Sequence, residues 1–145
     1  MEDSVKLLGS YIGDYKLAVS KRLEAANVAF RSLYKKLWMT QVSLKTKVKV
    51  FQAICLSTLM YGLDSLPLSN SRSHCLNTFA YRSLRKIFRI KYDDHISYSD
   101  LSSLVKDKTG IEFKWPVDIL KERRSSVFWD YAKKYYDIYS WTHPA

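Results

Sequence analysis

The segment Val42–Asp64, VSLKTKVKVFQAICLSTLMYGLD, is the longest apolar run with helical spacing in the chain. Its apolar residues recur at steps of three and four, which place side chains on one face of a helix. This series consists of Leu44, Val48, Phe51, Cys55 and Leu59. Ser43 can accept a hydrogen bond from the first-turn amides as the N-cap, and Gly62 permits the backbone turn that ends a helix.

Three further apolar residues, Val50, Ile54 and Leu56, widen this face. A helix that is apolar over most of its circumference usually lies at the centre of its domain. We therefore predict a buried helix on which both flanking regions pack.

The flanking regions carry weaker helical patterns of the same kind. The spacing predicts a helix from Asp14 or Tyr15 to Trp38, a third from about Arg72 to Arg89, and a short one over Tyr98–Lys106. A last helix is predicted from Val117 to about Tyr136. Residues 5–13 are short, apolar and closed by glycines, which is typical of a strand or an extended lead-in.

These patterns predict an all-α protein, a bundle of four to five helices around the central one, with a short extended N-terminal segment. The 145 residues fit one domain. Within it we distinguish an extended lead-in (1–13), a helical bundle (14–106) and a C-terminal helix (117–136).

Basic residues outnumber acidic ones by 24 to 14, which gives a net charge of +10 and a pI near 9.6. Such a balance favours an anionic partner, with nucleic acid first and an anionic membrane surface second. A basic composition is also compatible with a solvated surface that binds nothing specific.

Metal and disulfide chemistry have little support in the sequence. The two cysteines, Cys55 and Cys75, have no Cys-x-x-Cys spacing. His74 adjoins Cys75, but adjacent residues point to different helix faces, so we expect neither a metal site nor any cofactor. The acidic start and the absence of an apolar run of about 20 residues predict an intracellular soluble protein without a membrane span.

The central segment resembles the region that follows the palm in reverse transcriptases of non-LTR (LINE-type) retrotransposons. In that family a leucine- and lysine-rich helix ends in a Leu-Tyr-Gly-Ser/Ala-Glu-Thr/Ser-Trp box. The chain has Met60, Tyr61, Gly62, Leu63, Asp64, Ser65 and Leu66 at these positions. Asp64 replaces the glutamate and Leu66 the tryptophan.

Flanking pieces extend the resemblance over roughly residues 5 to 105. Leu8–Ile12 is similar to the family's YLGS-x-I, Lys21–Leu37 to its RI-x-x-A-x-x-x-F-x-x-L helix, and Arg82–Ile90 to its R-x-L-R-x-I-x-x-I helix. Ile119–Trp129 matches more loosely. The resemblance implies the thumb and linker without the catalytic palm, and hence a domain that grips the template–primer duplex through its backbone.

The sequence Tyr92-Asp93-Asp94 imitates the metal-binding box of these polymerases. That box needs an aromatic residue two positions before the first aspartate, where this chain has Lys91. It also needs flanking apolar strands and a third carboxylate, which in the family lies upstream of the region that the chain resembles. We therefore expect a turn with helix-capping carboxylates and no enzymatic activity.

The remaining candidates are basic residues interleaved with aromatic ones. Guanidinium and ammonium groups spaced along an exposed helical edge can follow a phosphate backbone. The candidate nucleic-acid-binding residues are Arg82, Arg85 and Arg89 on the third helix, Lys21, Arg31 and Lys35 on the first, and Arg123 and Arg124 on the last. The aromatic residues Tyr34, Tyr81, Trp115, Trp129 and Tyr135 could stack on bases or contact a protein.

Two functions remain open. The first is non-catalytic binding of RNA or an RNA–DNA duplex, by a transposon remnant or by a co-opted subunit of a ribonucleoprotein. The second is a helical structural subunit that binds protein partners through the face that a palm would cover. A continuous basic face favours the first function, and a large apolar patch elsewhere favours the second.

Overall fold

The computed structural model describes residues 5–7, 10–12, 15–64 and 69–142, with side chains described from residue 16 to 64 and from 69 to 134. Strands β1 (Val5–Leu7) and β2 (Ser10–Ile12) form an antiparallel pair. The helices are α1 (Tyr15–Ser32), α2 (Leu44–Val50), α3 (Ser57–Met60), α4 (Asn70–Ile87), α5 (Tyr98–Thr109) and α6 (Pro116–Thr142). Two π-helical segments cover Tyr34–Trp38 and Phe51–Leu56. The predicted all-α fold with a short extended N-terminal segment is confirmed.

Helix α2, the π-helical segment Phe51–Leu56 and α3 are continuous and together form the central helix. Its N-cap is Ser43, whose hydroxyl accepts a hydrogen bond from the Thr46 amide at 3.3 Å. Gly62 follows its end with a φ of 73°, a conformation that glycine adopts readily. Four residues of the predicted stripe are completely buried, namely Val48, Phe51, Cys55 and Leu59. The prediction of a buried central helix is confirmed.

Ile54 departs from the predicted stripe, since its side chain is 43% exposed. The reason is the π-helical segment, in which hydrogen bonds run to the fifth residue and each turn is wider than in an α-helix. The wider turn brings Phe51, Cys55 and Leu56 to the core side and turns Ile54 outward. A wheel drawn with 3.6 residues per turn could not show this.

Phe51 lies at the centre of an aromatic core. Its ring is 6.2 Å from Phe30 of α1, 6.2 Å from Phe79 of α4 and 6.4 Å from Phe113, which precedes α6. Trp38 stacks on Phe30 at 5.1 Å. Since these rings come from separate elements, the central helix holds the bundle together from its middle.

Helix α4 ends at Ile87, two residues before the predicted end. Arg89 has a φ of 54°, the left-handed conformation that usually belongs to glycine. The Arg89 amide donates to the Lys86 carbonyl at 3.2 Å and the Ile90 amide to the Arg85 carbonyl at 2.9 Å. These two bonds form a Schellman C-cap with arginine at the glycine position.

The last two helices are longer than predicted. Helix α5 continues from Tyr98 to Thr109, where Gly110 with a φ of 72° closes it. Helix α6 begins at Pro116, whose missing amide hydrogen costs nothing in the first turn, and extends to Thr142. It packs on α4, and Leu120 in its second turn is buried.

Candidate nucleic-acid interface

A surface groove lies between α1 and α4, with a volume of about 530 Å³. Its lining residues come from both helices: Leu23, Asn27, Phe30, His74, Cys75, Thr78, Phe79, Arg82, Ser83 and Lys86. The buried rings of Phe30 and Phe79 form its floor.

A second hollow of about 390 Å³ continues the groove towards the start of both helices. The two hollows share Leu23 and Cys75, and the second adds the basic residues Lys16 and Arg72. We call the pair the α1–α4 groove. Among the described residues that line the two hollows there is no carboxylate, so the charged groups that these residues bring to the groove are all cationic.

Two basic residues stand at one end of this groove. Lys86 places its Nζ 5.9 Å from the centre of the Phe30 ring, within range of a cation–π interaction. Arg82 is exposed and, within the part of the chain that the structure describes, has no hydrogen-bond or ion-pair partner. Its guanidinium is therefore available to an anionic ligand.

The predicted stripe of Arg82, Arg85 and Arg89 is not one surface. Only Arg82 lines the groove. Arg85 is half-buried and turns towards residues 91–94, while Arg89 belongs to the C-cap of α4. The prediction of one basic edge supposed that the helix is regular up to residue 89 and that none of the three arginines binds another part of the chain.

Arg85 holds the connection that follows α4. One nitrogen donates to the carbonyls of Lys91 at 2.6 Å, Asp94 at 2.8 Å and Tyr92 at 3.4 Å, and another donates to the Tyr81 hydroxyl at 3.0 Å. Charge-assisted bonds of this kind are among the strong ones in proteins. Arg85 is thus engaged inside the fold and unavailable to phosphate.

A buried lysine that the sequence analysis missed lies near Arg89. The Lys47 ammonium donates to the carbonyls of Trp38 at 3.1 Å and Thr40 at 2.7 Å. It thereby caps the end of the π-helical segment Tyr34–Trp38. Burial and the nearby positive charge of Arg89 lower the pKa of Lys47 below its ordinary value. The signal that could have found this lysine is the helix end itself, because the last carbonyls of every helix have no partner within the helix and need a donor from elsewhere.

The candidates on the first helix are placed differently from one another. Arg31 lies beside the groove, where its Nε donates to the carbonyl of the lining residue Asn27 at 3.4 Å. Lys21 forms an exposed ion pair with Glu24 at 3.3 Å and does not line the groove. Lys35 is exposed in the π-helical segment Tyr34–Trp38.

The candidates on α6, Arg123 and Arg124, contact the turn that follows the central helix. Arg123 pairs with the Asp64 carboxylate at 3.4 Å. Arg124 donates to the Asp64 carbonyl at 3.1 Å and to the Leu63 carbonyl at 3.4 Å. These bonds fix α6 to the bundle, which is a structural role.

The aromatic candidates fall into two groups, those packed inside the fold and those exposed at the surface. The Tyr81 hydroxyl donates to the Ile96 carbonyl at 2.6 Å, and the buried Trp115 donates to the Ser102 hydroxyl at 2.9 Å, so both are packing residues. Tyr34 and Trp129 are exposed. The side chain of Tyr135 lies outside the described residues.

Tyr92, Asp93 and Asp94 lie in an exposed turn without a metal-binding arrangement. Tyr92 is 95% exposed, and the Asp94 amide donates to the Lys91 carbonyl at 3.1 Å. Across the described residues, no three His, Cys, Asp or Glu side chains come together in a way that could hold a metal ion. Helix α5 is capped by Ser97, whose hydroxyl accepts a hydrogen bond from the Asp100 amide at 3.1 Å, and not by a carboxylate of this turn.

Comparison of the chain with known protein families, with curated proteins and with solved structures finds no match. Among the helices that the structure describes, none has the length and apolarity needed to cross a bilayer.

Proposed function

We propose that the chain binds the backbone of a structured nucleic acid, RNA or an RNA–DNA duplex, without catalysing a reaction on it. The observation that carries this proposal is the α1–α4 groove, in which the charged side chains among the described lining residues are all cationic. Its basic residues are Lys16, Arg72, Arg82 and Lys86, with Arg31 beside it.

The dimensions of the groove suit a phosphate backbone. From Arg72 to Lys86 the helix rises roughly 21 Å, at about 1.5 Å per residue. Four or five cations along this length can neutralise about as many phosphates. Counterion release then predicts that log affinity falls against log salt with a slope of about −3 to −4.5. Backbone contacts carry no base code, so all sequences should bind alike.

The origin that fits this role is the thumb and linker of a LINE-type reverse transcriptase, as an element remnant or as a co-opted ribonucleoprotein subunit. This part of the proposal rests on the sequence resemblance. We further propose that the chain is not an enzyme, so a primed template should gain no nucleotides. Incorporation that Asp93→Asn and Asp94→Asn abolish would contradict this.

The binding test compares two double variants of equal charge loss. Arg82→Ala with Lys86→Ala removes two groove cations, and Lys108→Ala with Lys121→Ala removes two exposed cations from α5 and α6. The groove variant should reduce the salt slope by about 1.4 to 1.8. The control variant should leave it within about 0.5.

Equal slopes for the parent and both variants, on RNA hairpins and on RNA–DNA duplexes, would overturn the groove as the binding site. A loss of the same size in both variants would show that net charge alone attracts nucleic acid, without a site.

A second function, binding of a protein partner, is favoured by one specific observation. The middle of α6 exposes Val127, Phe128, Trp129 and Tyr131, none of which lines the α1–α4 groove. The basic groove and the apolar surface lie on different elements, so one function does not exclude the other.

A further inference from the structure

Two neutral polar side chains lie among the cations of the α1–α4 groove. Asn27 of α1 and Thr78 of α4 both line its larger hollow, together with Arg82 and Lys86. Asn27 is exposed and Thr78 is half-buried, so a ligand in the groove can reach both. Phosphate oxygens are acceptors of hydrogen bonds. The hydrogen-bonding capacity that these two side chains still have therefore decides what the groove binds besides phosphate.

The Asn27 amide keeps its oxygen free as a hydrogen-bond acceptor. Its Nδ2 donates to the Leu23 carbonyl at 2.9 Å. This bond fixes the orientation of the amide, because the opposite orientation would set two carbonyl oxygens against each other. Within the described residues, Oδ1 receives no hydrogen bond. The oxygen is therefore available to a donor on a ligand.

The Thr78 hydroxyl is also left as an acceptor. It donates its one hydrogen to the His74 carbonyl at 2.8 Å, one helical turn back. Its oxygen retains two lone pairs, and no donor of the described chain binds them. The groove thus contains two acceptor oxygens that a phosphate, which has no hydrogen to give at neutral pH, leaves unsatisfied.

The 2′-hydroxyl of ribose is the donor that fits this arrangement. It alternates with the phosphates along an RNA strand, and it can both donate and accept, whereas DNA lacks it. Bases carry donors too, but in a duplex these are largely paired with the opposite strand. A groove that binds a duplex by its backbone therefore meets donors mainly on ribose.

The spacing along α4 agrees with a backbone that alternates phosphate and sugar. Thr78, Arg82 and Lys86 follow one another at steps of four residues, and all three line the same hollow. Each step rises about 6 Å along the helix. That rise is close to the distance between successive phosphates of one strand. A strand whose phosphates contact Arg82 and Lys86 therefore brings its next nucleotide to Thr78.

We propose that the α1–α4 groove selects the ribose strand, with Asn27 Oδ1 and Thr78 Oγ1 accepting hydrogen bonds from 2′-hydroxyls. This inference rests on the proposed function, because it concerns the same groove, and it narrows the ligand to an RNA strand in an RNA or RNA–DNA duplex. A net hydrogen bond changes affinity by about fivefold. Loss of the 2′ donors should therefore weaken binding by about 5- to 25-fold.

The test compares an RNA duplex with a duplex of the same sequence that carries 2′-fluoro sugars. Fluorine preserves the A-form shape but has no hydrogen to donate, so the two ligands differ in the 2′ donor. The parent should bind the RNA duplex about 5- to 25-fold more tightly. The salt slope should be the same for both ligands, because no phosphate contact changes.

The double variant Asn27→Leu with Thr78→Val should bind both duplexes alike, with the salt slope of the parent. Thr58→Val is the matched control. Thr58 donates to the Ile54 carbonyl four residues back at 2.7 Å, as Thr78 does to His74, but it lies on the central helix and lines neither hollow. This variant should keep the preference of the parent for RNA.

The outcomes separate this inference from the proposed function. Salt-dependent binding of the parent with equal affinity for both duplexes would overturn the ribose selection and leave the groove as a phosphate site. A preference for RNA that persists in the double variant would contradict the assignment to Asn27 and Thr78. Absence of salt-dependent binding to either duplex would refute the groove itself, and the ribose selection with it.

Discussion

Arg82 and Arg85 are three residues apart in α4 and should behave in opposite ways when replaced by alanine. Arg85→Ala should destabilise the fold and leave nucleic-acid binding by the folded protein unchanged. Arg82→Ala should weaken binding and leave stability unchanged. The difference follows from their partners, since Arg85 contacts three carbonyls and a tyrosine hydroxyl, whereas Arg82 points into the α1–α4 groove.

The size of the stability effect follows from those contacts. A hydrogen bond with a charged partner contributes about 1.5 to 3 kcal/mol when it is protected from water. The carbonyls that Arg85 binds belong to exposed residues of the 91–94 turn, so water replaces much of each lost bond. We therefore expect a total loss of about 2 kcal/mol. For a chain of this size that corresponds to a fall in Tm of about 4 to 8 °C.

Thermal melting and salt-dependent binding, measured on the same preparations, provide the assay. Arg82→Ala should change the free energy of unfolding by less than about 0.5 kcal/mol and reduce the salt slope by about 0.7 to 0.9. Arg85→Lys keeps the charge but has one donating nitrogen in place of two, so it cannot bind the Tyr81 hydroxyl and the turn carbonyls together and should lose part of the stability that Arg85→Ala loses. Equal Tm values for the Arg82 and Arg85 variants would refute the reasoning.

Other variants test the core, the C-cap and the buried thiol. Phe51→Ala should cost about 3 to 5 kcal/mol in denaturant unfolding, because the ring is fully buried among three others; a shift below about 1 kcal/mol would place the core elsewhere. Arg89→Gly should stabilise by about 0.5 to 1 kcal/mol, since its φ of 54° suits glycine, whereas Arg89→Val should destabilise. Burial raises the pKa of Cys55 from 9.0 to about 12. The thiol therefore ionises at a lower pH in the unfolded chain than in the folded one, so the free energy of unfolding falls as the pH rises from 9 towards 12. Cys55→Ala should remove this part of the pH dependence. In the native state, a thiol reagent should modify exposed Cys75 and spare Cys55; equal modification of both would contradict the burial of Cys55.

Features that depend on local spacing were predictable. The central helix, its Ser43 cap and its end at Gly62 are confirmed, because each depends on residues within one or two turns. The spacing that predicted α4 also agrees with the structure, since Leu76, Ala80, Leu84 and Ile87, at steps of three and four, are all buried.

Features that depend on distant partners were not predictable. The π-helical turn that exposes Ile54 requires the packing of neighbouring helices. The C-cap at Arg89 places a non-glycine residue where propensity would put glycine. Burial of Lys47 requires the carbonyls at the end of another helix.

The same distinction holds for the candidate site. Helical spacing indicated that the basic residues lie away from the apolar seam, which is correct for Arg82, Arg31 and Lys35. Spacing could not show which arginines bind carbonyls of other segments, so Arg85 and Arg124 were grouped with exposed residues. The groove itself joins two helices that are some fifty residues apart in sequence, and no local pattern describes it.

The contacts of α6 with the turn at Leu63 and Asp64 also determine the order in which the chain can fold. They join residues that are 59 to 61 positions apart. Helix α1 and the central helix, by contrast, are close in sequence and can meet after a short loop closes, which is the faster event. Docking of α6 should therefore be a late step. In a chain that is still being synthesised, α6 emerges after the helices on which it packs, so these have had time to form before it docks.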